Sequence, residues 1–250
     1  MKEGKYIYCI IASNGAQSFG PLGIGGRGDE LYSVCFKDIS AVVSSSPIMK
    51  YSISRENMIS HEKAIEAVMA EHMVLPVRFC TIAEDEEKIK RILAKEYDKF
   101  KDLLNKFIGK RELGLKAVFK EDIIYKKILE KYQDIRILKE KLVNLSADKT
   151  YYKQVEIGRM VEEALQKERE ICKDEILNTL SPLCCDSKVN NTYGELMIIN
   201  AAFLVEKSKE TEFDLKVRQL DERYGNDVKF KYVGTLPPFN FVNLVINLGT

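Results

Sequence analysis

The chain is poor in the side chains and motifs on which common enzyme active sites depend. It has no tryptophan, and its 250 residues include only two histidines, His61 and His72. Neither the nucleophile elbow G-x-S-x-G nor the P-loop G-x-x-x-x-G-K-S/T occurs, so two widespread catalytic signatures are missing. A cysteine and a histidine that meet only in the fold are left open as a nucleophilic pair, but no local pattern favours them. We therefore predict a protein that is not an enzyme and has no cofactor.

The sequence also lacks the spacings of common metal sites. His61-Glu62 begins the zinc-binding pattern H-E-x-x-H, but Ile65 stands where the second histidine is required. On one continuous helix, His72 would lie about 16 Å further along the axis than His61, so we expect two separate histidines at the surface or its boundary. The six cysteines include no C-x-x-C pair. Since no export signal is evident, they are expected to be reduced thiols in a cytoplasm.

Neither a strong net charge nor a long apolar run is present. Lysine and arginine number 39 and the acidic residues 38, which gives a formal net charge of +1. We predict no nucleic-acid partner, because nucleic-acid binding requires a basic surface. No apolar stretch approaches the roughly 18 residues of a membrane span, so no lipid membrane partner is expected. The composition is that of a globular protein, with length for one large domain or two small ones.

One glycine-rich stretch, GIGGRG at residues 23–28, has the spelling of a dinucleotide-binding turn, G-x-G-x-x-G. That turn requires a strand leading directly into it and a helix opening at its third glycine. A long loop separates it from the strand pattern of residues 5–12, and the strand pattern LYSVCF follows it at residues 31–36. No acidic residue lies between Asp38 and Glu56, where one would bind a ribose. The sequence therefore favours a loop joining two antiparallel strands.

Periodicity in the first half of the chain predicts the order β-β-β-α-β-α. Strands are expected over residues 5–12, 31–36, 38–46 and 73–82, with Pro76 at an edge or a bulge. Ser54 is expected to cap a helix that carries His61 and Ile65 at helical spacing. Residues 83–109 are expected to form one long amphipathic helix that ends at Gly109.

The second half has the order β-α-β-β-α-β when two long helices are counted as one crossover. Strands are expected near residues 112–119, 187–192, 195–206 and 228–234, and helices over residues 122–145, from a break at 146–148 to Pro182, and over 211–224. This order is that of the split ferredoxin-like arrangement. The sequence thus predicts an α+β protein with two domains, residues 1–109 and residues 110–250. The second domain would carry the helical pair and a C-terminal tail.

The tail, NFVNLVINLGT, has strand periodicity after the double proline Pro237-Pro238. The residues expected on one face are Val242, Leu244, Ile246 and Leu248. One interpretation, which we favour, is a final strand on the protein's own sheet. The other is β-augmentation, in which the tail pairs with the sheet edge of another chain.

Several stretches along the chain together resemble the gas vesicle protein F/L family. They are KYIYCII, GIGGRGDELYSVCFKDISAVVSSS, HEKAIEAVMAEHMVLPVRFCTI, ELGLKAVF, INAAFLV and KYVGTLPPFNFV. The resemblance runs from Tyr6 to about Val242, and its most specific pieces are L-P-V-R-F and P-P-Y/F-x-F-V. Two positions depart from the family pattern: Cys80 stands where glycine is usual, and Thr235 stands where proline is usual. These departures put the loop conformations at both positions in question.

The resemblance implies two modified ferredoxin-like domains, the second elaborated with two long helices. It also implies a non-enzymatic accessory protein of gas vesicle assembly, in the cytoplasm and at the gas vesicle. Such a protein would bind the small hydrophobic shell protein and other accessory proteins, as an assembly factor or a minor vesicle component. The candidate partner-binding residues are Leu75, Pro76, Arg78, Phe79, Leu236, Pro237, Pro238, Phe239, Phe241, Val242, Leu244 and Ile246. An ordinary edge strand is the alternative for the first four.

A rival interpretation is a small-ligand or RNA-binding protein built on ferredoxin-like sheets. RNA binders of this kind expose aromatic side chains on the sheet among basic residues. The aromatic residues that would serve are Tyr6, Tyr8, Tyr32 and Phe36. The near-neutral charge of the chain argues against this interpretation.

Overall fold

The computed structural model describes residues 2–142 and 147–246, with two antiparallel sheets and one long helix. The strands are β1 (Glu3–Ile11), β2 (Ser18–Gly20), β3 (Leu31–Phe36), β4 (Ile39–Pro47), β5 (Val74–Pro76), β6 (Ile82–Ala83), β7 (Lys110–Phe119), β8 (Asp186–Val189), β9 (Met197–Glu206) and β10 (Val228–Leu236). The helices are α1 (Arg55–Met69), α2 (Glu86–Lys95), α3 (Tyr97–Phe107), α4 (Glu121–Lys131), α5 (Gln133–Leu142), α6 (Ala147–Leu180) and α7 (Glu210–Tyr224). The predicted α+β class is confirmed. None of the described helices combines the length and the apolar character of a membrane span.

The chain divides into two compact units. Unit 1 comprises the residues up to Glu112 together with the segment from Thr235 onward, and unit 2 comprises Leu113–Gly234. The sequence-based boundary at Gly109 stays a prediction. The segment from Thr235, which the sequence assigns to the second domain, groups with unit 1 instead. Its contacts with residues such as Val77, described below, are the reason.

Unit 1 is built on a six-stranded sheet in the order β2-β3-β4-β1-β5, with β6 also paired to β1. The central strand β1 buries every side chain from Tyr6 to Ile11, as expected for a strand covered on both faces. Helix α1 packs Ile65 and Val68 into the cluster that contains Tyr6 and Tyr8. Strand β5 pairs antiparallel with β1 and is an edge strand of the sheet.

Two elements of unit 1 differ from the sequence-based prediction. The strand predicted over residues 73–82 consists of two short strands, β5 and β6, separated by a turn that contains Cys80. The helix predicted over residues 83–109 consists of α2 and α3, which meet at Glu96 with φ −104° and ψ 17°. Helix α2 packs on β3 and β4, whereas α3 packs on β4 and β5. A bend at Glu96 therefore lets the two halves follow a twisted sheet.

The helix boundaries predicted from capping residues are confirmed. The Ser54 Oγ accepts a hydrogen bond of 3.2 Å from the Asn57 backbone N–H at the start of α1. Gly109 follows α3 with a φ of 71°, a conformation that is unstrained only for glycine. Local chemistry thus decides where these helices begin and end.

The glycine-rich stretch is a loop, as predicted, but the strand before it is the short β2, which was not predicted and which pairs antiparallel with β3. The two predicted strands, β1 and β3, both pair antiparallel with β4 and therefore run parallel to each other. Residues Ile24–Gly26 form one turn of 3₁₀ helix, in which Ile24 is buried and donates its backbone N–H to the Tyr8 Oη at 2.7 Å. A Cβ on Gly23 would lie 2.7 Å from the Asp29 carbonyl oxygen. The close packing of this loop therefore requires glycine at position 23.

Unit 2 is built on a four-stranded sheet in the order β10-β7-β9-β8. The sheet and the helices of this unit enclose a core in which Phe119, Phe203 and Phe213 are buried. The helix predicted over residues 122–145 consists of α4 and α5, because the chain leaves the helical conformation at Tyr132, with φ −102° and ψ 89°. The end of that predicted helix, at residues 143–145, lies outside the described residues. The ferredoxin-like detail of both domains stays a prediction.

Candidate functional site

Two stretches that lie far apart in sequence line one groove of about 270 Å³ in unit 1. We call it the β5 groove, and its lining residues are Met58, His61, Pro76, Val77, Arg78, Phe79, Phe239, Val242, Asn243 and Leu244. The lining includes Pro76, Arg78 and Phe79 from the first predicted stretch, and Phe239, Val242 and Leu244 from the second. Folding thus brings together the two surfaces that the sequence could propose only separately.

The other candidate residues lie outside the lining of this groove. Leu75 is fully buried next to Ile10 of β1, and Pro237 and Pro238 are buried as well. Leu236 and Phe241 are half-buried. Ile246 lines a smaller pocket of about 70 Å³ together with residues of α2 and α3. A partner-binding role for these residues stays a prediction.

The double proline forms a compact turn that a buried carboxylate holds in place. The Val242 backbone N–H donates to the Pro238 carbonyl oxygen at 2.8 Å. Asn240 donates its backbone N–H to Glu112 Oε2 at 2.9 Å and its side-chain Nδ2 to Glu112 Oε1 at 2.6 Å. Glu112 is only 1% exposed, so these charge-assisted hydrogen bonds compensate for its burial. Sequence reasoning missed both Glu112 and Asn240.

Beyond the turn, the tail as far as residue 246 lies along the sheet edge at β5 with a single parallel bridge, between Val77 and Leu244. Val242 and Leu244 are buried, whereas Asn243 and Val245 are exposed, so the predicted alternation of faces is present up to residue 246. Up to that residue the tail is not a regular strand of the sheet. The prediction that the tail forms a final strand on the protein's own sheet is therefore wrong for residues 242–246. Leu248 lies outside the described residues.

The floor of the groove belongs to an aromatic cluster around His61. The His61 ring is 3% exposed, so the expectation of a surface or boundary residue is wrong. Its Nδ1 lies 3.1 Å from the Tyr6 Oη, and its ring stacks on Tyr8 and contacts Phe79 edge-on. Burial lowers the pKa of His61 to about 4, and a hydrogen bond to the Val77 backbone opposes this in part. The imidazole is therefore a neutral structural group at neutral pH.

Burial also raises the pKa of the neighbouring phenols. It raises the pKa of Tyr8 to about 12, although hydrogen bonds with Ser44 and the Ile24 backbone oppose the shift. Burial likewise raises the pKa of Tyr6, whose Oη accepts the Cys80 backbone N–H at 2.9 Å. The polar atoms of this cluster are thus engaged with one another and not directed at a ligand.

Exposed apolar side chains lie in the chain segment that leads to α1 and includes its first turns. They are Ile48, Met49, Ile53, Met58 and Ile59, and Ile53 is 84% exposed. Met58 also lines the β5 groove, as does the exposed Phe239. Concentration of large apolar groups at one place on a surface is typical of an interaction site.

The aromatic residues considered for RNA binding are not available as an exposed platform. Tyr6 and Tyr8 are fully buried under α1, so the assignment of these two residues to an exposed stacking platform is wrong. Tyr32 is half-buried and donates its Oη to Glu86 at 2.8 Å, and Phe36 packs edge-on against Tyr97. Within residues 2–142 and 147–246, no group of His, Cys, Asp or Glu side chains is arranged to hold a metal ion.

Cys80, which departs from the family pattern, has a φ of 64°, a left-handed conformation that costs most residues about 1–2 kcal/mol. We expect Cys80→Gly to raise the free energy of unfolding by roughly 0.5–1 kcal/mol. This is the strain relieved in the folded state less the cost of the greater flexibility of glycine in the unfolded chain. Urea denaturation followed by circular dichroism measures the change. Cys35→Gly, in the regular strand β3, is the control and is expected to be destabilising. Lower stability of Cys80→Gly than of wild type would show that the thiol contacts at Cys80 outweigh the strain.

The sequence matches the family model "Gas vesicle synthesis protein GvpL/GvpF" over residues 4–243. It is 29% identical over 199 residues to gas vesicle protein F of Dolichospermum flosaquae, covering 78% of this chain and 80% of that protein. It is 24% identical over 249 residues to gas vesicle protein F of a Nostoc species, covering 98% of this chain and 100% of the relative.

Two solved structures share the fold. The crystal structure of GvpF from an Anabaena species superposes with a TM-score of 0.79 at 24% identity, covering 97% of this chain and 99% of the other. That of GvpF from Microcystis aeruginosa superposes with a TM-score of 0.76 at 23% identity, covering 96% and 99%. Because the family model spans nearly the whole chain, this protein belongs to the GvpL/GvpF family of gas vesicle synthesis proteins.

Proposed function

We propose that this chain is a non-enzymatic accessory protein that binds the small hydrophobic shell protein of the gas vesicle through the β5 groove. Membership of the GvpL/GvpF family supports a role connected with gas vesicles. The observation that carries the finer proposal is the groove itself, where exposed Met58 and Phe239 flank a largely apolar lining. The proposed partners are the shell protein and other gas vesicle accessory proteins. We also propose that the chain is a minor structural component of the vesicle.

Such a binding protein is needed because a very hydrophobic shell subunit must remain soluble until it joins the vesicle wall. Exposed apolar faces and unpaired strand edges of such a subunit aggregate in water. A groove with apolar walls can cover part of that surface. Burial of each large apolar side chain contributes about 1.5–3 kcal/mol to binding, which is offset in part by the entropy lost when the two proteins associate. Arg78 is exposed at the groove and can hold a polar group of the partner at its rim.

The test is capture of the shell protein by the tagged chain after co-expression of the two. Wild type is expected to retain the shell protein in the soluble fraction. We expect Phe239→Ser to lower the captured amount about tenfold or more, because a few large side chains, often aromatic, carry most of the binding energy of an interface. Met58→Ser is expected to have a smaller effect in the same direction.

Leu215→Ser is the matched control, because Leu215 is a comparably exposed apolar residue on α7 of unit 2. It is expected to capture as much shell protein as wild type does. If wild type captures none, the proposed partner is wrong. If Phe239→Ser and Leu215→Ser both capture normally, the shell protein binds elsewhere on the chain.

A further inference from the structure

We propose that residues 242–246 are a displaceable placeholder on the β5 edge. The partner segment that replaces them would be an extended apolar strand running parallel to β5. This inference rests on the proposed function, because it names how the same groove receives its partner. It differs from tail-mediated augmentation in that the tail leaves the edge and the partner's strand takes its position.

The first observation is that the tail has few backbone pairings with the sheet. Strand β4 pairs with β1 along almost its whole length, from Glu3↔Pro47 to Ile11↔Ser40. The described part of the tail makes one bridge, Val77↔Leu244. Residue pairing along a strand is the unit of sheet stability, so the tail is held far less firmly than the regular strands.

The second observation is what lies beneath the tail. Val77 donates its backbone N–H to the Tyr8 carbonyl oxygen at 2.9 Å, so it continues the pairing of β5 with β1. The next residues, Arg78 and Phe79, turn toward the groove. Pro76 has no N–H to donate to an outer strand, so another strand can pair from Val77 onward, and proteins usually cover such edges. The tail is the cover seen here.

The third observation concerns the chemistry of the occupant. The tail places Val242 and Leu244 inward, at 6% and 3% exposure, and Asn243 outward. The sheet edge therefore accepts branched aliphatic side chains at every second position. Beside the tail the β5 groove remains open, with about 270 Å³ of volume. A partner strand with the same alternation and one larger apolar side chain would match the edge and fill the groove better than the tail does.

A disulfide that locks the tail in place tests the inference. Val77→Cys combined with Leu244→Cys places the thiols on the two residues of the parallel bridge. Neighbouring strands lie about 4.7–4.9 Å apart, which is within the Cα separation that a disulfide spans. The oxidised double variant is expected to capture about tenfold less shell protein than the same protein after reduction, because the tail can no longer leave. The single variants Val77→Cys and Leu244→Cys are the controls and are expected to be insensitive to oxidation.

A second measurement does not depend on the shell protein. The probe is a fluorescently labelled peptide of residues 241–250, FVNLVINLGT. Leu244→Asp puts a carboxylate into a buried site and is expected to release the tail, so this variant should bind the peptide about tenfold more tightly than wild type. Val245→Asp, at an exposed neighbouring position, is the matched control and is expected to behave as wild type.

The outcomes separate the two proposals. If the locked chain captures the shell protein as well as the reduced chain does, displacement of the tail is wrong while shell-protein binding stands. Equal peptide binding by Leu244→Asp and Val245→Asp would also overturn the placeholder. If no form of the chain captures the shell protein, the proposed function fails and this inference fails with it.

Discussion

Asn240→Asp is expected to release the turn at residues 237–242 at neutral pH and to restore it in mild acid. The Asn240 Nδ2 lies 2.6 Å from Glu112 Oε1, and aspartate would place a second carboxylate oxygen at that distance. Two carboxylates so close cannot both be ionised in a buried site. When both carboxylates are ionised, their repulsion drives the turn away from Glu112, whereas in acid one shared proton can restore the hydrogen bond.

Amide hydrogen exchange of the peptide covering residues 237–246, corrected for intrinsic rates, measures this release. We expect about tenfold to hundredfold faster exchange than wild type at pH 7, consistent with roughly 1.5–3 kcal/mol for a charge-assisted hydrogen bond. At pH 5 the difference should shrink. Asn243→Asp makes the same change of charge at an exposed position and should leave exchange unchanged. Equal exchange in both variants would mean that Glu112 does not anchor the turn.

The second large effect is a loss of stability in acid that depends on His61. The folded-state pKa of His61 is about 4, below the value of about 6.5 expected in the unfolded chain. Between these values the unfolded state binds more protons, so stability falls as pH falls from about 6.5 to 4. The contribution of His61 to the free energy of unfolding is fully present above pH 6.5. As the pH falls from 6.5 to 4, this contribution decreases by about 3 kcal/mol.

Urea denaturation between pH 7 and pH 4 tests this expectation. His61→Gln keeps a polar planar group beside Tyr6 and Val77 but has no titrating proton. We expect the variant to be less stable than wild type at pH 7 and to lose about 3 kcal/mol less on acidification. His72→Gln, at a partly exposed site, is the control and should follow wild type. If wild type and His61→Gln lose stability in parallel, burial of a neutral His61 is not the cause.

The fold could be predicted wherever a local signal decided the structure. Ser54 capped its helix and Gly109 ended another because capping and positive φ depend on a few neighbouring residues. The break at Glu96 could not be predicted, because the apolar stripe continues from Leu93 to Phe100 on both sides of it. Only the sheet beneath the two helices requires the bend.

The candidate site was predictable in part. The apolar alternation of the tail and the L-P-V-R-F stretch were visible in sequence, and six of the twelve candidate residues line the groove. His61 shares a helical stripe with Ile65 and Val68, a signal that could have indicated its burial. Glu112 gave no such signal, because an acidic residue at the start of a strand is usually exposed.

The sequence by itself determined the α+β class, most of the element order and membership of the GvpL/GvpF family, since these follow from periodicity, capping and residues spread along the whole chain. Only the tertiary structure decided that the tail returns to unit 1, that Asn240 reaches Glu112, and that Leu244 meets Val77. These contacts join residues more than a hundred positions apart. They depend on which buried surfaces remain to be covered once the sheet has formed, and no local pattern carries that information.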